Sequence, residues 1–173
     1  MGGEGAKGGE RMRSAYLSSE AIARIQHVFP AVKYDAEAAR PALFIEANEI
    51  IPLLLFLRDE KSLALTRMEN VTAVDWKDHF EMVYHLFSPT HLHWATVKVT
   101  LSHERPVIAS ATAVFPGAEF EEREVYDLVG IAFTDHPDLR RILLPDTFVG
   151  HPLRKDFAQP PPPAIRAVRR EGE

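Results

Sequence analysis

The sequence of 173 residues contains no cysteine. This absence excludes disulfides, thiolate metal sites, cysteine-bound iron–sulfur clusters and cysteine nucleophiles, and it agrees with a reducing compartment. Long hydrophobic runs are lacking too: the longest, residues 50–57, is too short to cross a bilayer and is closed by Arg58. The N-terminal "MGGEGAKGGERMR" has no apolar stretch and is not a secretory signal. We therefore expect membrane contact only through a partner.

Strong charge of one sign is also missing, because the formal net charge is only −5. The basic residues form no stripe with interleaved aromatic residues, which argues against nucleic-acid binding. Apolar residues make up 46% and charged residues 26% of the chain, as in an ordinary globular protein. The length is sufficient for one domain with tails.

Hydrophobic periodicity predicts the order helix, strand, helix, three strands, helix. The predicted elements are a helix from Ser18 or Ser19 to about Val28, a strand at 42–47, a helix at 49–61 capped by Asn48, strands at 70–76, 79–87 and 92–101, and a helix at 117–129 ended by Gly130. The strands at 79–87 and 92–101 alternate apolar and polar residues, which predicts a hairpin. The fold class is therefore α+β: a two-layer domain with a mostly antiparallel or mixed sheet packed by helices.

The chain loses all periodicity after residue 133, where proline, aspartate and arginine become frequent. We predict a disordered tail at 1–14, an α+β domain at 15–133 and an extended, irregular C-terminal arm at 134–173, called the arm below. So long a segment without secondary structure is uncommon in a domain that stands alone. The arm is therefore expected to dock on another protein.

The helix at 117–129 sets several carboxylates among apolar residues. On a helical wheel, Glu124 falls inside the apolar arc that starts at Phe120, while Arg123 and Asp127 can pair one turn apart. A buried carboxylate needs a cation and hydrogen bonds. We therefore expect Glu124 to be buried and to hold a basic side chain of the arm. The candidates are Arg140, Arg141, Arg154 and Lys155.

Two chemical interpretations compete with this structural one. Glu121 and Glu124 are one turn apart and can form the acid–base pair of a small hydrolase, assisted by His136 or His151. No nucleophile, phosphate-binding loop or metal set accompanies them, so an ion-pair network is favoured. Histidines of the hairpin can also hold zinc: His91 and His93 lie on one strand and His85 on the preceding strand, with His79 and His103 at the strand ends. Such residues more often face solvent or a partner, and we predict no metal site.

The segment "FPGAEFEEREVYDLVGIAFTDHPDLRRILLPDTFVGHPLRKDF" (115–157) resembles the signature region of the 30 kDa, C-type subunit of respiratory complex I, NADH:quinone oxidoreductase. The order and spacing of "EREVYDLVGI", "HPDLRRIL" and "GHPLRKDF" carry the resemblance, and "MVYHLF" (82–87) extends it. The helix motif comprises Glu122, Arg123, Glu124, Tyr126, Asp127 and Gly130. The two arm motifs comprise His136, Pro137, Leu139, Arg140, Arg141, Leu143, and then Gly150, Pro152, Leu153, Arg154, Lys155, Asp156. The resemblance implies that these residues hold and dock, and that none is catalytic.

The resemblance also implies a scaffold role in the hydrophilic part of a proton-translocating complex. This chain would bind no cofactor, while other subunits carry the NADH, FMN, iron–sulfur and quinone sites. Its expected partners are above all the 49 kDa, D-type subunit and the B-type subunit, which together form the quinone cavity, at the cytoplasmic side of the inner membrane or the matrix side in an organelle. Phe120 and Val129 depart from the common tryptophan and phenylalanine. Energy-converting hydrogenases, formate hydrogenlyase and F420H2 dehydrogenase share the module, so the assembly and its donor stay open.

Overall fold

The structure, a computed structural model, describes residues 15–37 and 40–158. The predicted disordered tail at 1–14 and the proline-rich end from residue 159 lie outside the described residues. Three helices are present in the described part of the chain: α1 (Ser19–Val28), α2 (Ile50–Asp59) and α3 (Ala118–Val129). Short 3₁₀ helices occupy Ala47–Glu49 and Ala111–Ala113.

The strands form two sheets. The seven strands of the described residues are β1 (Lys33–Asp35), β2 (Ala42–Phe44), β3 (Arg67–Asp75), β4 (His79–Ser88), β5 (His93–Ser102), β6 (Val107–Ala109) and β7 (Ala132–Thr134). The larger sheet has the order β1-β2-β5-β4-β3, and β2 is parallel to β5 while the other neighbouring strands are antiparallel. Strands β6 and β7 pair in parallel. The prediction of an α+β fold with a mixed sheet is confirmed.

The predicted hairpin forms the centre of this sheet. Strands β4 and β5 pair in continuous register from His79 opposite Ser102 to Ser88 opposite His93. Because side chains alternate along a strand, one face of the hairpin is apolar along most of its length, and Ser88 and His93 lie on it only at the turn end. Its buried members are Phe80, Met82, Tyr84, Leu86, Ala95, Val97, Val99 and Leu101. These pack in one core with the buried leucines of α2 and with Val125 and Val129 of α3.

The helix prediction is confirmed for α1, where the Ser18 hydroxyl oxygen accepts the Ala21 N–H. The capping prediction for Asn48 is wrong, since a 3₁₀ turn precedes α2 and Glu49 takes the cap position without a side-chain bond. The strand expected at 42–47 ends at Phe44. Strands β1, β6 and β7 escaped prediction because three residues are too few to show a period.

Among residues 15–37 and 40–158, the longest apolar helix falls well short of a bilayer's thickness, so none qualifies as a membrane span.

Candidate functional site

Helix α3 sits with a different face towards the core than its apolar residues predict. Glu122, Val125 and Val129 are buried, whereas Phe120 is 63% exposed and Glu124 lies in solvent. The prediction that Glu124 is the buried carboxylate is therefore wrong. The physical reason is that the arm covers the side of the helix that carries Asp127 and Arg123, so these polar groups are buried instead.

Asp127 is the carboxylate that holds the arm. Its side chain is fully buried. Oδ2 accepts three consecutive backbone N–H groups, at 3.0, 2.8 and 2.9 Å from Ile142, Leu143 and Leu144. Oδ1 accepts the Arg141 Nη1 at 2.7 Å. One buried carboxylate thus supplies acceptors to a stretch of the arm that has no strand or helix of its own to satisfy its N–H groups.

Arg141 ties the two arm motifs together. While Nη1 is bound to Asp127, Nη2 donates to the Gly150 carbonyl oxygen at 3.1 Å. The predicted pairing of Arg123 with Asp127 is wrong, because Arg123 also turns to the arm. Its Nε donates to the Arg140 carbonyl oxygen at 3.2 Å, and its Nη1 lies 3.8 Å from Asp138.

These contacts set the charge state of Asp127. Burial alone would raise its pKa. The N–H donors of Leu144 and Leu143, the Arg141 guanidinium and the Ile142 N–H outweigh burial, so the pKa of Asp127 lies below its ordinary value. The carboxylate is therefore ionised at neutral pH, where its hydrogen bonds are of the strong, charge-assisted kind.

The second arm motif covers the C-terminal end of α3, where a helix leaves carbonyl oxygens without partners. Donors from the arm satisfy these groups one after another. They are His151 Nδ1 to Asp127 O (2.9 Å), Leu153 N–H to Leu128 O (3.0 Å), Arg154 Nε to Val129 O (2.6 Å) and Arg154 Nη2 to Gly130 O (3.2 Å). The positive charge of a guanidinium at this end of the helix also interacts favourably with the negative pole of the helix dipole.

Gly130 permits this close approach. It has a φ of +78°, in the left-handed region that ends helices, and its N–H bonds back to Val125 and Tyr126. A Cβ atom there would lie against the His151 ring and 2.8 Å from Arg154 Nη2. The arm can reach the end of the helix only because this residue has no side chain.

The outer side of the arm carries several large apolar side chains. Leu143, Val149 (86% exposed) and Leu153 (61% exposed) point to solvent, and Ile142 and Phe120 of α3 are exposed as well. Leu139, by contrast, packs on the core. Polar groups of the arm therefore face the helix while several of its large apolar side chains face outwards.

The remaining predicted arm residues fall around this contact. The ring of His136 is fully buried, Tyr126 meets the His151 ring edge-on, Pro152 is half-buried, and Pro137 and Asp156 are exposed. The Lys155 N–H donates to Asp75 Oδ2 at 2.8 Å, and its ammonium lies over the Trp76 ring. Asp75 was missed by sequence reasoning, because no local signal links the end of β3 to a residue eighty positions later.

Glu122 is a second buried carboxylate, with a different task. It accepts the Ser110 hydroxyl and the Ala111 N–H, both at 2.6 Å, and so fixes the 3₁₀ turn before α3. His136 lies 3.9 Å away, but its Nε2–H donates to the Glu119 carbonyl oxygen while Nδ1 accepts the Asp138 N–H. That pattern describes a neutral imidazole. Burial raises the pKa of Glu122, and the two hydrogen bonds offset this in part.

The hydrolase grouping does not form. Glu121 and Glu124 line a cavity of about 140 Å³ between α3 and β3, where Glu121 accepts the Val71 N–H at 2.7 Å. Burial raises the pKa of Glu121, as do the charges of Glu124 and Glu69, against the lowering effect of Val71. His136 is hydrogen-bonded to Glu119 and is not among the residues that line this cavity.

His85, His91 and His93 do not form a metal-binding group. The rings of His91 and His93 stack at 5.6 Å, and each donates Nε2–H to a backbone carbonyl, of Lys61 and Leu63 respectively. Burial lowers the pKa of His93 and of His85. These contacts give the histidines a structural role at the end of the hairpin.

Comparison with known proteins supplies the context for this geometry. The family described as respiratory-chain NADH dehydrogenase, 30 kDa subunit, matches residues 43–163. The C-type subunit of NADH-quinone oxidoreductase from Moorella thermoacetica is 41% identical over 138 residues, which are 79% of this chain and 92% of the relative. A C-type subunit of the same enzyme from Rhizobium meliloti is 48% identical over 128 residues, 71% of this chain but 63% of the relative.

Two solved structures share the fold. A chain of the membrane-bound sulfane sulfur reductase, an archaeal respiratory membrane complex, is 27% identical with a TM-score of 0.68, and the match covers 80% of this chain and 84% of that one. A trypsin-resistant fragment of Nqo5 is 21% identical with a TM-score of 0.58, and the match covers 69% of this chain and 97% of the fragment. At that identity, the second likeness concerns the fold alone.

Proposed function

Since the chain belongs to the family of the 30 kDa, C-type subunit of respiratory-chain NADH dehydrogenase, we propose that it is a structural subunit in the hydrophilic part of a membrane-bound, proton-translocating NADH:quinone oxidoreductase. Its task is to present the arm to a neighbouring subunit. The redox reaction from NADH to quinone belongs to the assembly, and no residue of this chain takes part in it.

The observation that carries this proposal is the fixed arm. Asp127 and the end of α3 bind the arm through its backbone and its arginines, and Leu143, Val149 and Leu153 remain exposed. In this proposal, the exposed apolar side chains of the ordered arm belong to the surface that another protein covers. A segment fixed before binding also loses less entropy on association than a loose one.

The finer assignments rest on the resemblance of the helix and arm motifs and are part of this proposal. The partner of the arm is the 49 kDa, D-type subunit of the quinone site, with the B-type subunit beside it. FMN, the iron–sulfur clusters, NADH and quinone are bound by other subunits. The chain sits on the cytoplasmic side of the inner membrane, or the matrix side in an organelle, and reaches the membrane only through the complex.

The test uses the assembled complex and two matched variants of α3. Asp127→Ala removes the buried anchor, whereas Glu124→Ala truncates an exposed carboxylate one turn away. We expect Asp127→Ala to lower the amount of complex that co-purifies, with turnover per assembled complex unchanged, and Glu124→Ala to assemble normally. A variant that assembles at the wild-type level yet loses turnover would contradict a purely structural role.

A second assembly is favoured by one observation, the likeness to a chain of an archaeal respiratory membrane complex that is not named for NADH. In this alternative the chain has the same scaffold role in an energy-converting relative such as a hydrogenase or F420H2 dehydrogenase. Identification of co-purified subunits by mass spectrometry separates the two. NADH-binding flavin subunits indicate the first, and their replacement by a hydrogenase-type large subunit indicates the second.

A further inference from the structure

One group of side chains remains outside the site described above, where the arm crosses the end of the sheet. Asp75 ends β3, His103 follows β5 and Asp156 belongs to the arm. Their candidate ligand atoms all lie within 4.8 Å of one another. Residues from three separate parts of the chain thus converge on one point.

The imidazole of His103 is the unusual member. Its Nε2 atom is buried and has no hydrogen-bond partner among the described residues. Asp75 Oδ1 is 3.7 Å away, beyond hydrogen-bond distance. The ring is held in this orientation by stacking on Phe80 with centroids 4.5 Å apart. A buried nitrogen without a partner is costly, so its orientation towards two carboxylates calls for an explanation.

Hydrogen bonds orient the Asp75 carboxylate in a way that suits a metal ligand. Its side chain is almost fully buried, and its two oxygens each accept one backbone N–H, from Lys77 at 2.6 Å and from Lys155 at 2.8 Å. Burial raises the pKa of Asp75, but the N–H groups of Lys155 and Lys77 and the nearby charge of Lys155 outweigh burial and bring this pKa below its ordinary value. The carboxylate is therefore ionised, and each oxygen retains a lone pair for a further partner. Such outer hydrogen bonds orient metal-binding carboxylates.

We infer that Asp75, His103 and Asp156 form a binding site for a divalent transition-metal cation, with zinc as the best-suited ion. One imidazole nitrogen and two carboxylate oxygens suit Zn²⁺, while Mg²⁺ and Ca²⁺ prefer oxygen alone. Ligand atoms around tetrahedral zinc are about 3.4 Å apart, given bonds of about 2.0–2.2 Å. The 3.7 Å between His103 Nε2 and Asp75 Oδ1 is close to this value. Asp156 is exposed, so it leaves access for the ion and can move inwards to complete the set.

The site links the arm to the sheet. Asp75 already binds the backbone of Lys155, the neighbour of Asp156, so a bound cation would add a second connection at the same place. The effect is to fasten the end of the described arm independently of Asp127. This inference concerns the isolated chain and does not depend on which complex the chain serves.

The experiment titrates Zn²⁺ into the full chain at pH 7.5 after removal of metal with a chelator, using calorimetry, with Co²⁺ absorbance as a second readout. The test variants are His103→Gln and Asp156→Asn. Matched controls are His91→Gln, at the exposed histidine of the hairpin turn, and Asp146→Asn, an exposed carboxylate on the arm. Circular dichroism verifies that each variant is folded. Because Asp156 is exposed, its variant keeps the test valid if His103→Gln unfolds.

We expect one Zn²⁺ per chain, bound at least tenfold more weakly by either test variant and unchanged in both controls. Zinc should also slow amide hydrogen exchange at 155–157 in the wild type and not in Asp156→Asn. Failure of the wild type to bind Zn²⁺ would overturn the inference. The contact between His103 and Asp75 would then be one without a bound cation. Equal affinity of the wild type and both test variants would also overturn it, as would weakening by His91→Gln alone, which would place the ion on the hairpin.

Discussion

The Asp127→Asn substitution tests the central contact of the molecule, because it keeps the shape of the side chain and removes its charge. In the wild type, Oδ2 accepts three N–H groups and Oδ1 accepts the Arg141 guanidinium. The asparagine can present its oxygen to only one of these two sets. Its NH₂ group would then face either the Arg141 guanidinium or the three N–H groups, and donors would oppose donors.

The expected loss of stability follows from the burial of the Asp127–Arg141 ion pair. Breaking a buried ion pair costs about 3–5 kcal/mol. Arg141 is partly exposed and can turn to water, so the lower end applies, about 3 kcal/mol. The arm is bound to the surface of α3, and we expect this loss to appear as local detachment of the arm, with the hairpin core intact. At 1.4 kcal/mol per factor of ten, the open population of the arm rises roughly 100-fold.

Amide hydrogen exchange measures this directly. The amides of Ile142, Leu143 and Leu144 should exchange roughly 100-fold faster in Asp127→Asn, while amides in the centre of β4 keep their wild-type rates. Glu124→Gln is the control, since it neutralises an exposed carboxylate of the same helix. If the three amides of Asp127→Asn exchanged within about threefold of wild type, the carboxylate would not be what holds the arm.

Low pH should also detach the arm from α3 in the wild type. The pKa of Asp127 is lowered in the folded chain, so its contribution is complete above the ordinary aspartate value of about 3.9 and is lost as pH falls through the folded value. Asp127→Asn should lack this acid-induced loosening of the arm.

Three further substitutions are informative. Gly130→Ala should destabilise by more than about 1 kcal/mol, seen as a lower melting temperature, because φ is +78° and Arg154 blocks the Cβ position. Arg154→Lys should loosen the arm almost as much as Arg154→Ala in hydrogen exchange, because an ammonium cannot reach both helix-end carbonyls and stack on Phe80. Because burial raises the pKa of Glu122, its contribution to stability is present at low pH and lost as pH rises above about 4.3. In urea unfolding, the free energy of unfolding of Glu122→Gln should not show this decline with rising pH. A decline as large as in the wild type would refute the role given to Glu122.

The hairpin and the end of α3 could be predicted because their signals are local. Alternation along β4 and β5 fixes which residues meet the core, and Gly130 marks where a helix stops. Strands of three residues carry no such period, so β1, β6 and β7 were not predicted, and β2 was predicted too long. The pairing of β6 with β7 also depends on a neighbour that lies beyond the whole of α3 in the sequence.

The orientation of α3 could not be predicted, because the deciding contacts are not local. Phe120 is the most apolar residue near the start of the helix, so the predicted core face was centred on an arc that included it. In the structure Phe120 is exposed, with Arg123 over its ring. Which carboxylate is buried was decided by the arm, which arrives fourteen to seventeen residues after Asp127. The sequence predicted a carboxylate–arginine link between helix and arm, and the structure assigns it to Asp127 and Arg141 instead of Glu124.

The energetic asymmetry of the arm connects its structure with its proposed task. Several of its backbone N–H groups and two of its arginines are directed at α3, where Asp127 and the helix-end carbonyls accept their hydrogen bonds. Its large apolar side chains, Leu143, Val149 and Leu153, face water, although burying each would contribute roughly 1.5–3 kcal/mol. A chain that served only its own stability would turn these side chains inwards. The hydrogen bonds to α3 fix the backbone of the arm and so keep these side chains on its opposite side. In the proposed complex, contact with a partner would bury them and supply the free energy that they do not contribute in the isolated chain.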